Sequence, residues 1–372
     1  MKITFYIPFL LLGLIFSCSK PNPITQTIQV HQPTDPSDLR IDNPQLIRLS
    51  PNPFSEISGI DKILFAENRI IILDQMKGNT VFIYDRSGEY INHIYSVGEG
   101  PGEYRRVENI FYSPIEMQLV LIPMDFDKKM YFDLDGNFLK EEFHEHSTVY
   151  ADLFFLRNGE ILINNSAING EPNLKVSQNG KTELIAFPFD PLLDDSPLDQ
   201  TNLISQIDEH SFLLSIGLRD TLYSLDLQDF SLKPSYFLDF GNGPSYQLNE
   251  KPDPIQFFLK NDIYVGAIDL FHSGQFISFT TLHHSGLQGR IFSKEQRILV
   301  STEDLILQEI GSVGYDGIKG LTTTQEFAAV LSSGEDGIWD FSQNPKLQKQ
   351  FESLIEVDQE ELILLLFSIE EK

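Results

Sequence analysis

Residues 62–95 read KILFAENRIIILDQMKGNTVFIYDRSGEYINHIY, and the punctuation of this stretch decides the fold. Four runs rich in Ile, Val, Phe and Tyr (Lys62 to Ala66, Arg69 to Asp74, Thr80 to Asp85 and Glu89 to Tyr95) are separated by Glu67-Asn68, Lys77-Gly78-Asn79 and Arg86-Ser87-Gly88. Short apolar runs broken by Asn, Gly and Ser carry hairpin chemistry, so the stretch predicts a meander of four antiparallel strands. The unit recurs as Asn109 to Ser113, Gln118 to Pro123, Lys129 to Asp133 and Asn137 to Phe143. It recurs again as Asp152 to Leu156, Glu160 to Asn164, Asn173 to Val176 and Thr182 to Phe187.

The turn between third and fourth strands fixes the register. It reads Tyr84-Asp85-Arg86-Ser87-Gly88, then Phe132-Asp133-Leu134-Asp135-Gly136, then Val176-Ser177-Gln178-Asn179-Gly180, with the glycines 48 and then 44 residues apart. Glycine fits there because a two-residue hairpin turn needs a positive φ that other residues adopt at a cost. A fourth unit shows Ser211 to Ser215 and Asp220 to Leu225; a fifth shows Gln275 to Thr280, Gly289 to Phe292 and Ile298 to Val300. In the sixth, Glu326 to Leu331 is a strand, Asn344 caps a helix beginning at Pro345 whose Leu347, Phe351, Leu354 and Ile355 share one face, and Glu361 to Ile369 is a buried strand. Four-stranded antiparallel units spaced in the forties predict an all-β fold, a six-bladed β-propeller over 45–372 with a short C-terminal covering helix. An open ring edge would invite aggregation, so Ile24 to His31 or Gln45 to Leu49 is expected to close the ring beside Glu361 to Ile369.

The N-terminus carries a different message. Lys2 precedes the uncharged stretch Ile3 to Phe16, which is the size of a signal-peptide core and shorter than the roughly 20 residues of a membrane-spanning helix. Cys18, the only cysteine, follows in Ile15-Phe16-Ser17-Cys18, an arrangement that resembles the lipobox of bacterial lipoproteins. Residues 1–17 are therefore expected to be a lipoprotein signal peptide, Cys18 the acylated first residue of the mature chain, and 18–44 a Pro-, Thr- and Gln-rich tether with a possible closing strand. Ser19-Lys20-Pro21 lacks the acidic run of some surface-export signals, which favours attachment facing the periplasm over the cell surface.

Composition sets exclusions. The chain has 372 residues, 27 Lys plus Arg and 54 Asp plus Glu, for a net charge of −27. Such a chain does not track a phosphate backbone, so no nucleic-acid partner is expected, and membrane contact rests on acyl chains on Cys18. A lone cysteine rules out a disulfide within the chain and a cysteine-cluster metal site. The content of 41 % hydrophobic and 12 % aromatic residues is ample for a packed core.

Val97-Gly98-Glu99-Gly100-Pro101-Gly102-Glu103-Tyr104, with Val81 to Asp85 and Gly88 before it and Asp220-Thr221-Leu222-Tyr223 and Tyr236 to Gly241 later, resembles the six-bladed β-propeller lipoproteins of Bacteroidota. That family, of largely unassigned function, is related in architecture to NHL-repeat and TolB-like propellers. The resemblance implies a propeller from about Leu46 onward and no agreed catalytic residues.

Chemistry-bearing residues are sparse. The glycine loop with Glu103, Tyr104, Arg105 and Arg106 after it is the candidate ligand site, since exposed amides and paired arginines suit a carboxylate or phosphate. His144-Glu145-His146 and His283-His284 are the histidine groupings, and neither predicts a metal site. Asp133-Leu134-Asp135-Gly136-Asn137 lacks the further ligands of a calcium loop and is explained by the repeated turn. No Gly-x-Ser-x-Gly elbow is present. Trp339 is expected to pack on the core or rim. No catalytic residue, metal or cofactor is predicted. The expected function is a lipid-anchored envelope module that binds a protein, small-molecule or glycan ligand, beside glycan-uptake machinery. Its rival is a metal-dependent hydrolase or lactonase with carboxylates in the central channel, for which Asp74, Asp152 and Asp208 are nominal candidates.

Overall fold

A computed structural model describes residues 26–54, 57–125, 127–143, 149–194, 201–241, 247, 250–251, 253–333, 339–354 and 362–372. Six four-stranded antiparallel sheets follow one another. Blade 1 is Lys62–Ala66, Arg69–Asp74, Thr80–Asp85 and Tyr90–Ile94; blade 2 is Val107–Ser113, Gln118–Pro123, Lys128–Phe132 and Phe138–Phe143. Blade 3 is Tyr150–Leu156, Gly159–Asn164, Leu174–Gln178 and Lys181–Ala186; blade 4 is Ile204–Gln206, Ser211–Leu214, Thr221–Asp226 and Ser231–Asp239. Blade 5 is Tyr264–Ser273, Phe276–His283, Gly286–Ser293 and Leu299–Ser301, and blade 6 is Gly314–Leu321, Phe327–Ser332, Ile363–Glu371 and Leu39–Arg48. The first strand of each blade lies innermost and packs beside its counterparts in the neighbouring blades.

Continuous apolar runs arise because each sheet is buried on both faces. Ile70 to Leu73 are all fully buried, and side chains alternate across a strand. Ile71 and Leu73 accordingly join a cluster with Val107, Ile110 and Leu121 of blade 2, while Ile70 and Ile72 join one with Val330 and Leu364 of blade 6. Comparable clusters fill the gaps between blades 2 and 3, 3 and 4, 4 and 5, and 5 and 6.

The register turns have two designs. Gly88 (φ 91°) and Gly136 (φ 81°) close three-residue loops in which Asp85 and Asp133 bond Glu89 and Asn137 across the turn. This replaces the two-residue turn expected there, because a type I turn followed by a left-handed glycine accommodates the extra residue. Asn179 (φ 51°) and Gly180 (φ 72°) form the two-residue version between Gln178 and Lys181. The Asp133 carboxylate accepts from Asp135 N (3.0 Å), Asn137 N (2.8 Å) and Asn137 Nδ2 (2.9 Å), so the turn itself uses it.

Closure comes from the N-terminus. Leu39–Arg48 pairs antiparallel with Ile363–Glu371 as the outer strand of blade 6, so that most of the Gln45 to Leu49 candidate lies in the closing strand. The other candidate does a different job: Gln26–Gln29 adds a fifth, parallel strand to the outer edge of blade 4, from Gln26 beside Tyr236 to Gln29 beside Asp239. Between the two, Thr34 bridges Val300 on the outer strand of blade 5. Residues 26–48 thus strap the edges of three consecutive blades. The helix Pro345–Leu354 buries Leu347 and Phe351; Asn344 caps it through Leu347 N (3.2 Å), and Gln350 bonds both backbone groups of Leu46 on the closing strand. Ile355 lies outside the described residues. Trp339 stacks on Phe341 (6.1 Å) and packs against Phe351 (5.2 Å). Among the described residues no helix is long and apolar enough to cross a membrane.

Candidate functional site

Each blade contributes to one connected set a buried polar side chain on, or just before, its inner strand: Lys62, Asn109, Asp152, Asn202, Asp269 and Lys319, in blade order. Five of the six precede an equally buried aliphatic residue, Ile63, Ile110, Leu153, Leu203 and Leu270. Lys62 Nζ donates to Asn109 Oδ1 (3.2 Å) and lies 3.6 Å from Asp152 Oδ1, reaching from blade 1 past blade 2 to blade 3. Asn109 Nδ2 donates to Ala151 O, and Asp152 Oδ2 accepts from Leu203 N (2.7 Å) and Ile204 N (2.9 Å) of blade 4. Asn202 Nδ2 donates to Asp269 Oδ1 (2.7 Å), and Lys319 Nζ reaches Asp269 Oδ2 (3.4 Å). Burial pulls the Lys62 ammonium down, opposed by Asp152. At Lys319 burial acts the same way but Asp269, Asp316 and Asp61 outweigh it, and its pKa is raised.

These groups form a belt of net charge zero whose bonds cross most of the blade boundaries. Of the nominal channel carboxylates only Asp152 belongs to it. Asp74 caps a loop through Ser58 N and Gly78 N, and Asp208 caps the turn to Ser211. Both belt carboxylates already hold a lysine and neutral donors, so a divalent ion at either would have to displace a largely buried ammonium group. The belt went unnoticed in the sequence because its residues differ in type. Aligning the blades on the polar–aliphatic step at the inner strand would have revealed it.

The glycine loop is more exposed than the belt, with Glu99, Pro101 and Arg105 open to solvent. Glu103 folds back so that Oε2 accepts from Gly100 N (2.7 Å); a Cβ at Gly98 would sit 2.0 Å from that oxygen, which is why the position is glycine. The chain's own carboxylate thereby fills the amide nest. Tyr104 is buried, its hydroxyl donating to Ile94 O (3.0 Å), and burial raises its pKa well above the phenolic value. Arg105 pairs with Glu99 (2.7 Å) at the exposed rim, and Arg106 Nη2 points at Met76 Sδ. The loop borders a cleft of about 370 Å³ lined by Glu99, Glu103, Asp125, Asp127 and Glu141, by Lys128 and Arg105, and by Phe143, Tyr104 and Pro101. Lys128 Nζ holds Glu141 (2.9 Å) and Glu103 O (2.8 Å); with Gly102 N it keeps the Glu141 carboxyl below its usual range. Glu103, Tyr104 and Arg105 thus share one cleft, which Arg106 does not line. Five carboxylates against two cations favour hydroxyl or ammonium donors over the anion that the two arginines suggested. Asp125, Asp127 and Glu141 come from the turn and outer strand of blade 2, which the loop sequence does not contain. Cys18, His144 and His146 lie outside the described residues.

Among curated proteins none matches the chain in sequence. Among solved structures, it is similar to a protein of Bacteroides fragilis NCTC 9343 described as exported, at 16 % identity and TM-score 0.70, covering 94 % of this chain and 99 % of that one. It is also similar to a DUF4221-family member from Bacteroides vulgatus ATCC 8482, at 11 % identity and TM-score 0.53, covering 90 % and 99 %. Both likenesses speak to the fold. The model of a family described as a domain of unknown function (DUF4934) matches residues 22–371, and the chain belongs to that family.

Proposed function

We propose that the chain is a lipid-anchored envelope propeller that binds a sugar-containing ligand in the cleft beside the 98–105 loop. The observation that carries this reading is the cleft's lining: carboxylates as acceptors for hydroxyl groups, with the exposed Phe143 ring as an apolar platform. Such a ligand suits a place beside glycan-uptake machinery. Export is supported by the Lys2 and Ile3-to-Phe16 pattern and by the similarity to the Bacteroides fragilis protein described as exported. Anchoring is supported by Ser17-Cys18, with attachment facing the periplasm. Gln26–Gln29 is held at the outer edge of blade 4, the first described part of the chain after the proposed anchor.

Two measurements test this. Cys18→Ala, exported with the same signal, is expected in the soluble envelope fraction; the variant remaining with membranes would contradict the anchor. On an array of envelope and dietary glycans the wild-type chain is expected to retain a defined oligosaccharide that Asp127→Ala/Phe143→Ala loses. Equal retention by both proteins, or none by the wild type, would contradict the cleft reading.

A further inference from the structure

A second cluster lies on blade 5, at the same end of the ring as the cleft by strand order. Asp262 ends the connection from the helix Pro254–Lys260 into the inner strand; His283 is the last residue of Phe276–His283, and His284 opens the turn that follows. One ligand atom from each of the three lies within 4.8 Å of the others. His283 is buried and its ring is fixed on every side. Tyr264 stacks on it at 4.5 Å and 22°, Ser285 Oγ meets Nδ1 at 2.7 Å, and Asp262 Oδ1 meets Nε2 at 2.7 Å. The His284 ring lies 4.0 Å away, centroid to centroid.

The line Ser285–His283–Asp262 has room for one proton on the ring in its neutral form. Ser285 N–H also approaches Nδ1 (3.4 Å), so with Nδ1 accepting from Ser285 the ring donates Nε2–H to Asp262; in the other tautomer Nδ1 donates to Ser285 Oγ, and the Nε2 lone pair and the Asp262 carboxylate face each other as two ligand atoms for a cation. Metal-binding histidines commonly donate their other nitrogen to such an oxygen acceptor, which fixes ring and tautomer. Metal–nitrogen and metal–oxygen bonds of about 2.0–2.2 Å at a tetrahedral ion place neighbouring ligand atoms about 3.4 Å apart, so the 2.7 Å approach would open by about 0.7 Å through the exposed Asp262 side chain. Two imidazoles and a carboxylate are a donor set for zinc-class ions and ill-suited to calcium or magnesium, which prefer all-oxygen shells.

We propose that Asp262, His283 and His284 bind one divalent transition-metal ion of the zinc class, with its remaining coordination open to solvent. The site is independent of the cleft and of the sugar reading.

The test is Zn²⁺ titration of the metal-stripped full chain in competition with a chromophoric chelator, together with the visible spectrum of the Co²⁺-loaded chain. One equivalent is expected, with a Co²⁺ band in the visible. His284→Ala and Asp262→Asn, both at exposed positions, should keep the fold and each weaken Zn²⁺ at least ten-fold, and His284→Ala should change the Co²⁺ band. Weak binding that both variants retain in full would assign the metal to the acidic surface at large and overturn the site. So would covalent labelling of Ser285 by a fluorophosphonate, because a nucleophilic Ser285 needs Nε2 protonated toward Asp262.

Discussion

The axial belt and the rim cleft both gather charged residues, yet they use them in opposite ways. In the belt, Lys62, Asp152, Asp269 and Lys319 are buried and their partners sit on other blades. At the rim, the half-buried Glu103 bonds its own loop, and Arg105 pairs in solvent with Glu99 six residues away. A bond that crosses a blade boundary holds the ring together, whereas one made within a loop leaves the neighbouring surface open to a ligand. The difference teaches that in this protein the concentration of charge does not mark the working surface; the destination of each bond does.

The comparison breaks most visibly at Asp269. Its removal leaves Lys319 without its carboxylate and Asn202 without its acceptor, and losing one partner of a buried ion pair costs about 3–5 kcal/mol. Asp269→Ala is expected to lower the free energy of urea unfolding by that amount, and a value within error of wild type would remove the belt's structural role.

His272 gives an intermediate effect. It is buried at the far end of the same inner strand, 2.7 Å from Lys294 Nζ, and burial with that ammonium pushes its pKa down to about 4. The unfolded chain takes up a proton near pH 6.5, where the folded chain does not. Stability is therefore flat above that pH and falls as pH drops towards 4, by about 2 kcal/mol after allowing for solvent near the ring. Urea midpoints between pH 7 and pH 4 should show this slope, and His272→Gln should reduce it.

The smallest effect is expected at the rim. Arg105→Ala removes an exposed pair screened by solvent and should leave the urea midpoint within error of wild type. A loss as large as that of Asp269→Ala in the same urea assay would mean that the rim, too, holds the ring together.

Blades 1 to 3 were legible in the sequence because sheets buried on both faces give unbroken apolar runs and their turns carry glycine at fixed places. Blade 5 was only partly legible: its inner strand, Tyr264–Ser273, shifts register twice around Gly266 (φ 65°) and Asp269 (φ 49°), which hides its period. The inner strand of blade 4, Ile204–Gln206, is too short to announce itself. The belt was hidden because two Lys, two Asn and two Asp occupy one structural position, and no motif joins them until the blades are superposed. The loop at 97–104 was visible, but its polarity was not, since the acidic residues that set it arrive from blade 2. Closure of blade 6 was legible at Gln45 to Leu49, but the parallel strand on blade 4 and the bridge to blade 5 could not be read from a Pro- and Thr-rich stretch whose partners lie some two hundred residues or more away.

The central claim is that the belt ties neighbouring blades together while the cleft meets the ligand. The most direct measurement is a double-mutant cycle at Lys62 and Asp152 by urea unfolding. Each of Lys62→Met and Asp152→Asn is expected to destabilise the chain by several kcal/mol, with the double variant costing at least about 1.5 kcal/mol less than their sum. Singles that are neutral or stabilising, as happens when residues are retained for function at the expense of the fold, would contradict it and return the channel to the catalytic reading.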